Sequence, residues 1–282
     1  MYSLYRSAFG HVNRFIVELT NGIWHNEYHP PPQGVNHLAR QPVSRIRKIY
    51  ILRLIGRCII FLLCILLLTV SPAEYDILQG MNFFAGLSPL HLLWIIWVID
   101  MLAQLFPIQE HLALGSMKMF RLRFKPIREK INRQALKRYI VTTTRAAFWV
   151  MLLWCALIAS IGLLHRAGIL SDTMLFMITA AFYICDLICV LIWCPFRLMM
   201  KNKCCTTCRI FNWDHLMMFS PLIFIRGFYP LSLFGMSLIV FIVWEGCIAV
   251  FPERFWEQSN AALPCANCTD KLCTQYCQKL RR

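Results

Sequence analysis

The cysteines are the residues of this 282-residue chain whose spacing is best suited to chemistry. Seven of the fourteen lie in two polar segments, and each segment contains a Cys-x-x-Cys step, Cys205/Cys208 and Cys265/Cys268. Two thiolates at this spacing reach one metal ion from a tight turn, and two such turns complete a tetrahedral four-sulfur site. The sequence therefore predicts a metal site with the candidate ligands Cys204, Cys205, Cys208, Cys265, Cys268, Cys273 and Cys277.

The identity of the ion stays open at this point. Zinc suits a structural site, and a [4Fe–4S] cluster accepts four thiolates as well. Cys194-Pro195 resembles the Cys-Pro pairs of membrane-bound ferredoxin-like quinol dehydrogenases, but the C-x-x-C-x-x-C-x-x-x-C-P run that marks their clusters is absent. Two disulfides in the tail, or plain thiols, are the alternatives. The other seven cysteines lie in or beside apolar segments, where cysteine usually packs as a small hydrophobic residue.

Ionisable residues inside apolar segments form a second set of candidates. Asp100, Asp186 and Glu245 interrupt three of these segments, and Arg57 lies at a comparable depth in a fourth. Charged groups are costly in hydrocarbon and need partners, so we predict an intramembrane polar network of Arg57, Asp100, Asp186 and Glu245. The alternative is an ion or proton site of a transporter, although the acids lie off-centre and no internal repeat is visible.

Composition shows which elements must position these residues. Hydrophobic residues make up 58% of the chain and charged residues 15%, whereas ordinary globular chains are about half apolar and a quarter charged. The apolar residues gather into stretches of about 20, enough to cross a bilayer. We predict an all-α polytopic membrane protein with about six transmembrane helices, at 49–70, 87–106, 146–164, 173–194, 213–229 and 231–251. The stretch 213–229 is uncertain because it is short and contains Pro221.

The net charge of +15 reads first as an orientation signal. With six spans and both termini cytoplasmic, 27 of the 29 Lys and Arg residues fall on the inner side; the exceptions are Arg166 and Arg226. The two Cys-x-x-Cys pairs also meet only if the chain crosses the membrane an even number of times between them. Both arguments favour six spans over five, in the plasma (cell) membrane, with residues 252–282 as a cytoplasmic Cys-rich tail.

The remaining segments suggest contact with the inner membrane surface. Apolar residues recur at helical spacing near the N-terminus, which predicts an interfacial helix within the cytoplasmic segment 1–48. The 107–145 loop mixes basic and apolar residues. We expect both to bind anionic headgroups and do not expect nucleic acid as a partner, because no nucleic-acid fold motif accompanies the charge. A protein partner is a further possibility.

The last ninety residues carry a resemblance. The strings Cys194-Pro195-Phe196-Arg197, Lys203-Cys204-Cys205-Thr206-Thr207-Cys208, Pro252-Glu253-Arg254-Phe255 and Cys265-Ala266-Asn267-Cys268 are similar to those of a group of uncharacterised prokaryotic multi-pass proteins. The resemblance implies a prokaryotic membrane and supplies no mechanism.

No catalytic signature stands out. The phosphate loop G-x-x-x-x-G-K-[ST], the elbow G-x-S-x-G and the motif H-E-x-x-H are absent. His91 and His165, near the outer ends of their spans, are weak candidates for haem ligands. The leading hypothesis is a structural or partner-docking metal clasp without catalytic activity. An iron–sulfur electron-transfer protein serving quinone and a transporter of ions or small solutes are the alternatives.

Overall fold

A computed structural model describes residues 44–106, 118, 124–127, 131–200, 208–264, 267 and 272. In these residues the chain is all-α, and the only β pairing consists of isolated bridges. The α-helices are α1 (Arg45–Val70), α2 (Pro89–Leu105), α3 (Arg133–Arg166), α4 (Asp172–Leu191), α5 (Phe196–Met200), α6 (Asp214–Phe219) and α7 (Phe228–Val250). Short 3-10 helices cover Pro72–Leu78, Asn82–Phe84, Arg209–Trp213, Ser220–Phe224 and Pro252–Phe255.

Four of these helices, α1, α3, α4 and α7, are long and apolar enough to cross a membrane. The fifth apolar helix, α2, has 17 residues, so it is about 25 Å long. Large apolar side chains lie exposed along α1, α3 and α7. A water-soluble bundle would bury such faces, so they are compatible with contact to lipid. The predicted all-α class with apolar spanning helices is confirmed at this level. The predicted N-terminal interfacial helix lies outside the described residues.

Local capping residues explain where the helices begin. Ser44, Ser88, Asn132 and Ser171 each accept a hydrogen bond from a backbone N–H in the first turn of α1, α2, α3 and α4 respectively. Such caps satisfy donors that have no partner within the helix. The cap at Asn132 accounts for one difference from the sequence-based bounds, because α3 begins at Arg133 and not at 146. Its first turns therefore carry basic residues that the sequence analysis assigned to a loop.

The core lies where α2, α4 and α7 surround a broken segment. The fully buried side chains there include Trp97, Phe176, Phe219, Tyr229 and Trp244. Trp97 contacts the rings of Phe176 and Phe219 at centroid distances of 5.6 and 5.3 Å. Because aromatic rings bury large apolar areas, this cluster ties three helices to the segment that threads between them.

The broken segment consists of α6 followed by Ser220–Phe224, and it runs alongside α7. Near its start, the indole of Trp213 donates to Glu245 Oε1 over 2.6 Å, close to the C-terminal end of α7. Past its end, Gly80 N donates to Arg226 O and Phe228 N donates to Gly80 O, each over 2.8 Å, at the N-terminal end of α7. Residues 213–227 thus follow α7 for most of its length. They do so in fewer residues because a 3-10 helix rises about 2.0 Å per residue instead of 1.5 Å.

Candidate functional site

Arg57 of α1 is the centre of a buried charge network. Its guanidinium donates to Asp186 Oδ2 over 2.7 Å and to the backbone carbonyl of Tyr183 over 2.6 Å, both on α4. It also donates to Asp100 Oδ2 on α2 over 3.0 Å. The residue is 7% exposed, and its guanidinium carbon stands 3.8 Å from the centroid of the Tyr183 ring. One side chain therefore connects α1 to two other helices at once.

The network balances its charges. Arg53, one turn before Arg57 on α1, donates to the other oxygen of Asp100 over 3.2 Å. Two arginines thus face two aspartates, and neither carboxylate lacks a cation. Buried carboxylates are tolerated only when paired and hydrogen-bonded in this way. Such an arrangement fixes the register of the helices.

A second polar group links α2 to the broken segment. Gln104 of α2 donates to Asp214 Oδ1 over 3.2 Å. The same oxygen accepts from the backbone N–H of His215 over 2.7 Å and lies 2.9 Å from its ring Nδ1. The sequence analysis did not select Gln104, Asp214 or His215. Asp214 and His215 lie at the edge of the uncertain stretch 213–229. Polar residues at such an edge indicate the end of an apolar segment and do not reveal their hydrogen-bond partners.

Glu245, the fourth predicted member, has different partners. Its carboxylate forms an ion pair with Arg209 and accepts the indole hydrogen bond of Trp213. Arg209 also donates to Thr144 Oγ1 on α3 over 2.7 Å. The pair of Arg209 and Glu245 therefore anchors the segment that follows Cys208 to α7, and the bond from Arg209 to Thr144 anchors it to α3. Arg209 was missed because a basic residue beside the cysteines was counted only as an inner-side charge.

A cavity of about 220 Å³ lies beside these two networks, between α3, α4, α5 and α6. Its walls are aromatic and sulfur-bearing, and Asp186 and Asp214 reach it from the Arg57 network and from the second polar group. Four cysteines contribute to the lining: Cys185, Cys189, Cys194 and Cys208.

Of the seven predicted metal ligands, Cys208 alone belongs to the described residues; Cys204, Cys205, Cys265, Cys268, Cys273 and Cys277 lie outside them. Cys208 is 6% exposed and packs in an apolar group, called here the Cys208 cluster, with Ala147, Val150, Met200, Ile210, Trp213 and Met217. Within the part of the chain that the structure describes, no three His, Cys, Asp or Glu side chains converge as a metal site.

The tail returns to the same region. Leu272, the residue before Cys273, is 4% exposed and packs with Tyr50, Leu187, Val190 and Leu191, which together form the Leu272 cluster. Phe211 packs against both the Leu272 cluster and the Cys208 cluster. Phe211, which belongs to the segment after Cys208, therefore connects that segment to the tail at Leu272.

The two candidate haem histidines are engaged in local turns. His91 Nδ1 accepts from Ser88 N over 3.0 Å in the capping box of α2, and its Nε2 lies 2.8 Å from Phe83 O. His165 Nδ1 lies 2.8 Å from Leu170 O, and its Nε2 is 3.5 Å from Asp172. Because both nitrogens of each ring have partners nearby, these histidines fasten helix ends.

No protein-family model, curated protein or solved structure matches this chain.

Proposed function

We propose that this protein is a six-pass protein of the cell membrane whose two termini lie on the cytoplasmic side. A thiolate metal site, with zinc favoured over an iron–sulfur cluster, clasps the tail to the 195–213 loop. The clasp has a structural or partner-docking role. Its ligands come from the Cys204–Cys208 and Cys265–Cys277 groups.

The contact that Phe211 makes with both clusters is the observation that carries this proposal. Cys208 precedes Phe211 by three residues, and Cys273 follows Leu272 directly. The packing of Leu272 on Leu187 and Leu191 brings the tail to the end of α4, from which the loop departs. Two cysteine-bearing segments that are about sixty residues apart in sequence thus start from one place, as a shared metal site requires.

The path of residues 213–227 supports an even number of crossings between the two segments. This segment follows α7 from the level of Glu245 to the Gly80 bridge, and α7 then returns. A hairpin of this kind returns the chain to the side from which it started. Most residues of the segment are buried within the bundle, where irregular backbone is tolerated at membrane depth.

The ion pairs make a transporter the weaker function. Asp100 and Asp186 already bind Arg53 and Arg57, and Glu245 already binds Arg209. A site for a transported cation needs a carboxylate whose charge is not already balanced. The same three acids serve a structural role without further assumption.

Metal analysis of the detergent-purified full chain, with its absorption spectrum, tests the proposal. We expect one colourless zinc ion per chain, lost in the double variant Cys205→Ser, Cys268→Ser and retained in the control Cys155→Ser, whose thiol lies exposed on α3. A brown, reducible chromophore would indicate an iron–sulfur cluster in place of zinc. It would favour the alternative function, electron transfer with quinone. A chain purified anaerobically without any metal would overturn the clasp.

Labelling from each side of the membrane tests the topology. In inside-out vesicles an impermeant maleimide should reach the cysteines of the tail, whereas in right-side-out vesicles it should not. Removal of the metal with a chelator should increase the labelling of Cys268 only from the inner side. Labelling of Cys268 from outside alone would contradict both the six crossings and the clasp.

A further inference from the structure

The cavity beside α4 differs from an ordinary apolar cavity because its walls are rich in sulfur. Of its sixteen lining residues, six carry sulfur: Cys185, Cys189, Cys194, Cys208, Met217 and Met218. Among the residues that the structure describes, no histidine contributes to the lining. Thiolate and thioether are soft ligands that select soft ions, Cu(I) among them, whereas oxygen ligands select Mg²⁺ and Ca²⁺. The lining therefore points to a soft ion.

Two of these thiols are already in contact. The α4 helix ends at Leu191, after which Trp193 N still donates to Ile188 O over 3.1 Å, so the chain folds back over the last turn. This turn brings Cys194 to Cys189, and the two side chains are hydrogen-bonded to each other. Two neighbouring thiols at one cavity wall can present two sulfur atoms to one ion.

The number of available ligands decides between the soft ions. A structural zinc site takes four ligands in a tetrahedron. Among the described residues no group of three His, Cys, Asp or Glu side chains is arranged for a metal. A monovalent d¹⁰ ion is satisfied by two thiolates, and the thioethers of Met217 and Met218 line the same space. This arrangement matches Cu(I) better than zinc.

We propose that Cys189 and Cys194 bind a single Cu(I) ion in this cavity, with a methionine thioether of α6 as an additional soft contact. Both thiols lose their protons on binding, so two thiols and Cu⁺ give one bis-thiolate complex of charge −1 and two protons. Arg197 lines the same cavity as a cation near this anionic complex, and of the two acids on the wall Asp186 is paired with Arg57 and Asp214 accepts hydrogen bonds from Gln104 and His215. The two thiolate ligands differ from those of the clasp, because neither Cys189 nor Cys194 belongs to the two Cys-x-x-Cys pairs, although Cys208 of one pair also lines the cavity.

Ag(I), a redox-inert substitute for Cu(I), gives a site-resolved test on the unmodified chain. The purified, zinc-loaded protein is treated with one equivalent of Ag(I) and then alkylated, and the modified cysteines are identified by mass spectrometry. We expect alkylation of Cys189 and Cys194 to fall at least tenfold, while that of Cys155 stays unchanged. Protection confined to the tail cysteines, or equal protection of Cys155, would overturn the proposal.

Competition with a chromogenic Cu(I) chelator under anaerobic conditions gives the second test. We expect the double variant Cys189→Ser, Cys194→Ser to bind Cu(I) at least 100-fold more weakly than the native chain and to keep its zinc. The clasp variant Cys205→Ser, Cys268→Ser should show the opposite pattern, so the two sites can fail separately. An unchanged Cu(I) affinity in the Cys189, Cys194 variant would show that the ion binds elsewhere.

Discussion

Arg57 and Asp186 are joined by a 2.7 Å hydrogen bond between α1 and α4, and the same nitrogen of Arg57 also reaches the carbonyl of Tyr183. Because most of the apolar part of α1 is exposed, this contact and the one to Asp100 are important polar links between α1 and the bundle. Neutral packing alone gives weak preferences for depth and rotation between apolar helices. Paired charges in the interior allow only one register.

Replacement of Arg57 by Met should destabilise the protein by about 3–5 kcal/mol, because Asp186 loses its cation and Asp100 keeps only Arg53 of its two arginine partners. Unfolding in a denaturing detergent monitored by circular dichroism measures the loss. Arg53→Met is the matched control, since the Arg53 side chain is more exposed than that of Arg57 and pairs with Asp100 over 3.2 Å. We expect the double variant Arg57→Met, Asp186→Leu to recover part of the stability. Equal losses for Arg53→Met and Arg57→Met would contradict the central place of Arg57.

The substitution Glu245→Gln should loosen the segment after Cys208. The charge-assisted bonds from Arg209 weaken, at a cost of roughly 1.5–3 kcal/mol for hydrogen bonds to a charged group. The indole of Trp213 retains an oxygen acceptor. Cys208, which is buried, should then react faster with a membrane-permeant maleimide. Glu74→Gln, at the opposite end of the bundle, serves as the control and should leave this rate unchanged.

The substitution Gly227→Ala should disrupt the turn between the broken segment and α7. A Cβ atom at Gly227 would stand 2.0 Å from the carbonyl oxygen of Leu78, so the backbone must move. We expect a loss of roughly 1–3 kcal/mol from overpacking. Gly235→Ala on α7 is the matched control, because its Cβ meets nothing within 4 Å and alanine favours a helix by about 1 kcal/mol. Thermal melts should therefore shift in opposite directions for the two variants.

The substitution Leu272→Ala should release the tail. Removal of a buried leucine side chain costs about 2 kcal/mol or more, which corresponds to roughly a 30-fold shift toward the undocked tail. Limited trypsin digestion at Lys271 should accelerate accordingly, provided that the metal has been removed. The control Leu87→Ala replaces a leucine that is 98% exposed and should not change the rate. Equal digestion of both variants would mean that Leu272 does not hold the tail.

Sequence patterns predicted the all-α class and the apolar segments because hydrophobic run length is a local property. They also marked Asp100, Asp186 and Arg57, since a charge in an apolar run is conspicuous by itself. The partner of Glu245 was not predictable in this way. Whether its carboxylate faces Arg57 or Arg209 depends on how α7 is rotated and on where the segment after Cys208 comes to lie, and both depend on packing between distant elements.

The sulfur-lined cavity shows the same limit. Cys194 follows Cys189 by five residues, and two side chains at this spacing do not share a face of a continuous helix. Only the end of α4 at Leu191 and the turn that follows bring the two side chains together. Met217 and Met218 enter from a segment whose 3-10 and α-helical parts have no regular hydrophobic period. Residues that meet through a helix end are therefore hidden from any pattern based on period.

The broken segment beside α7 also constrains how the protein inserts into the membrane during its synthesis. A segment enters the lipid by itself when it offers about 20 apolar residues in a regular helix, and Asp214–Phe219 followed by Ser220–Phe224 falls short of this. Its place in the interior is walled by α4 on one side and by α7 on the other. We therefore expect the ribosome to complete α7 before the broken segment reaches its final position. The two would then insert together, late in translation. A chain that stops before α7 would leave Met218, Phe219 and Leu222 without a wall, a state that quality-control proteases should recognise.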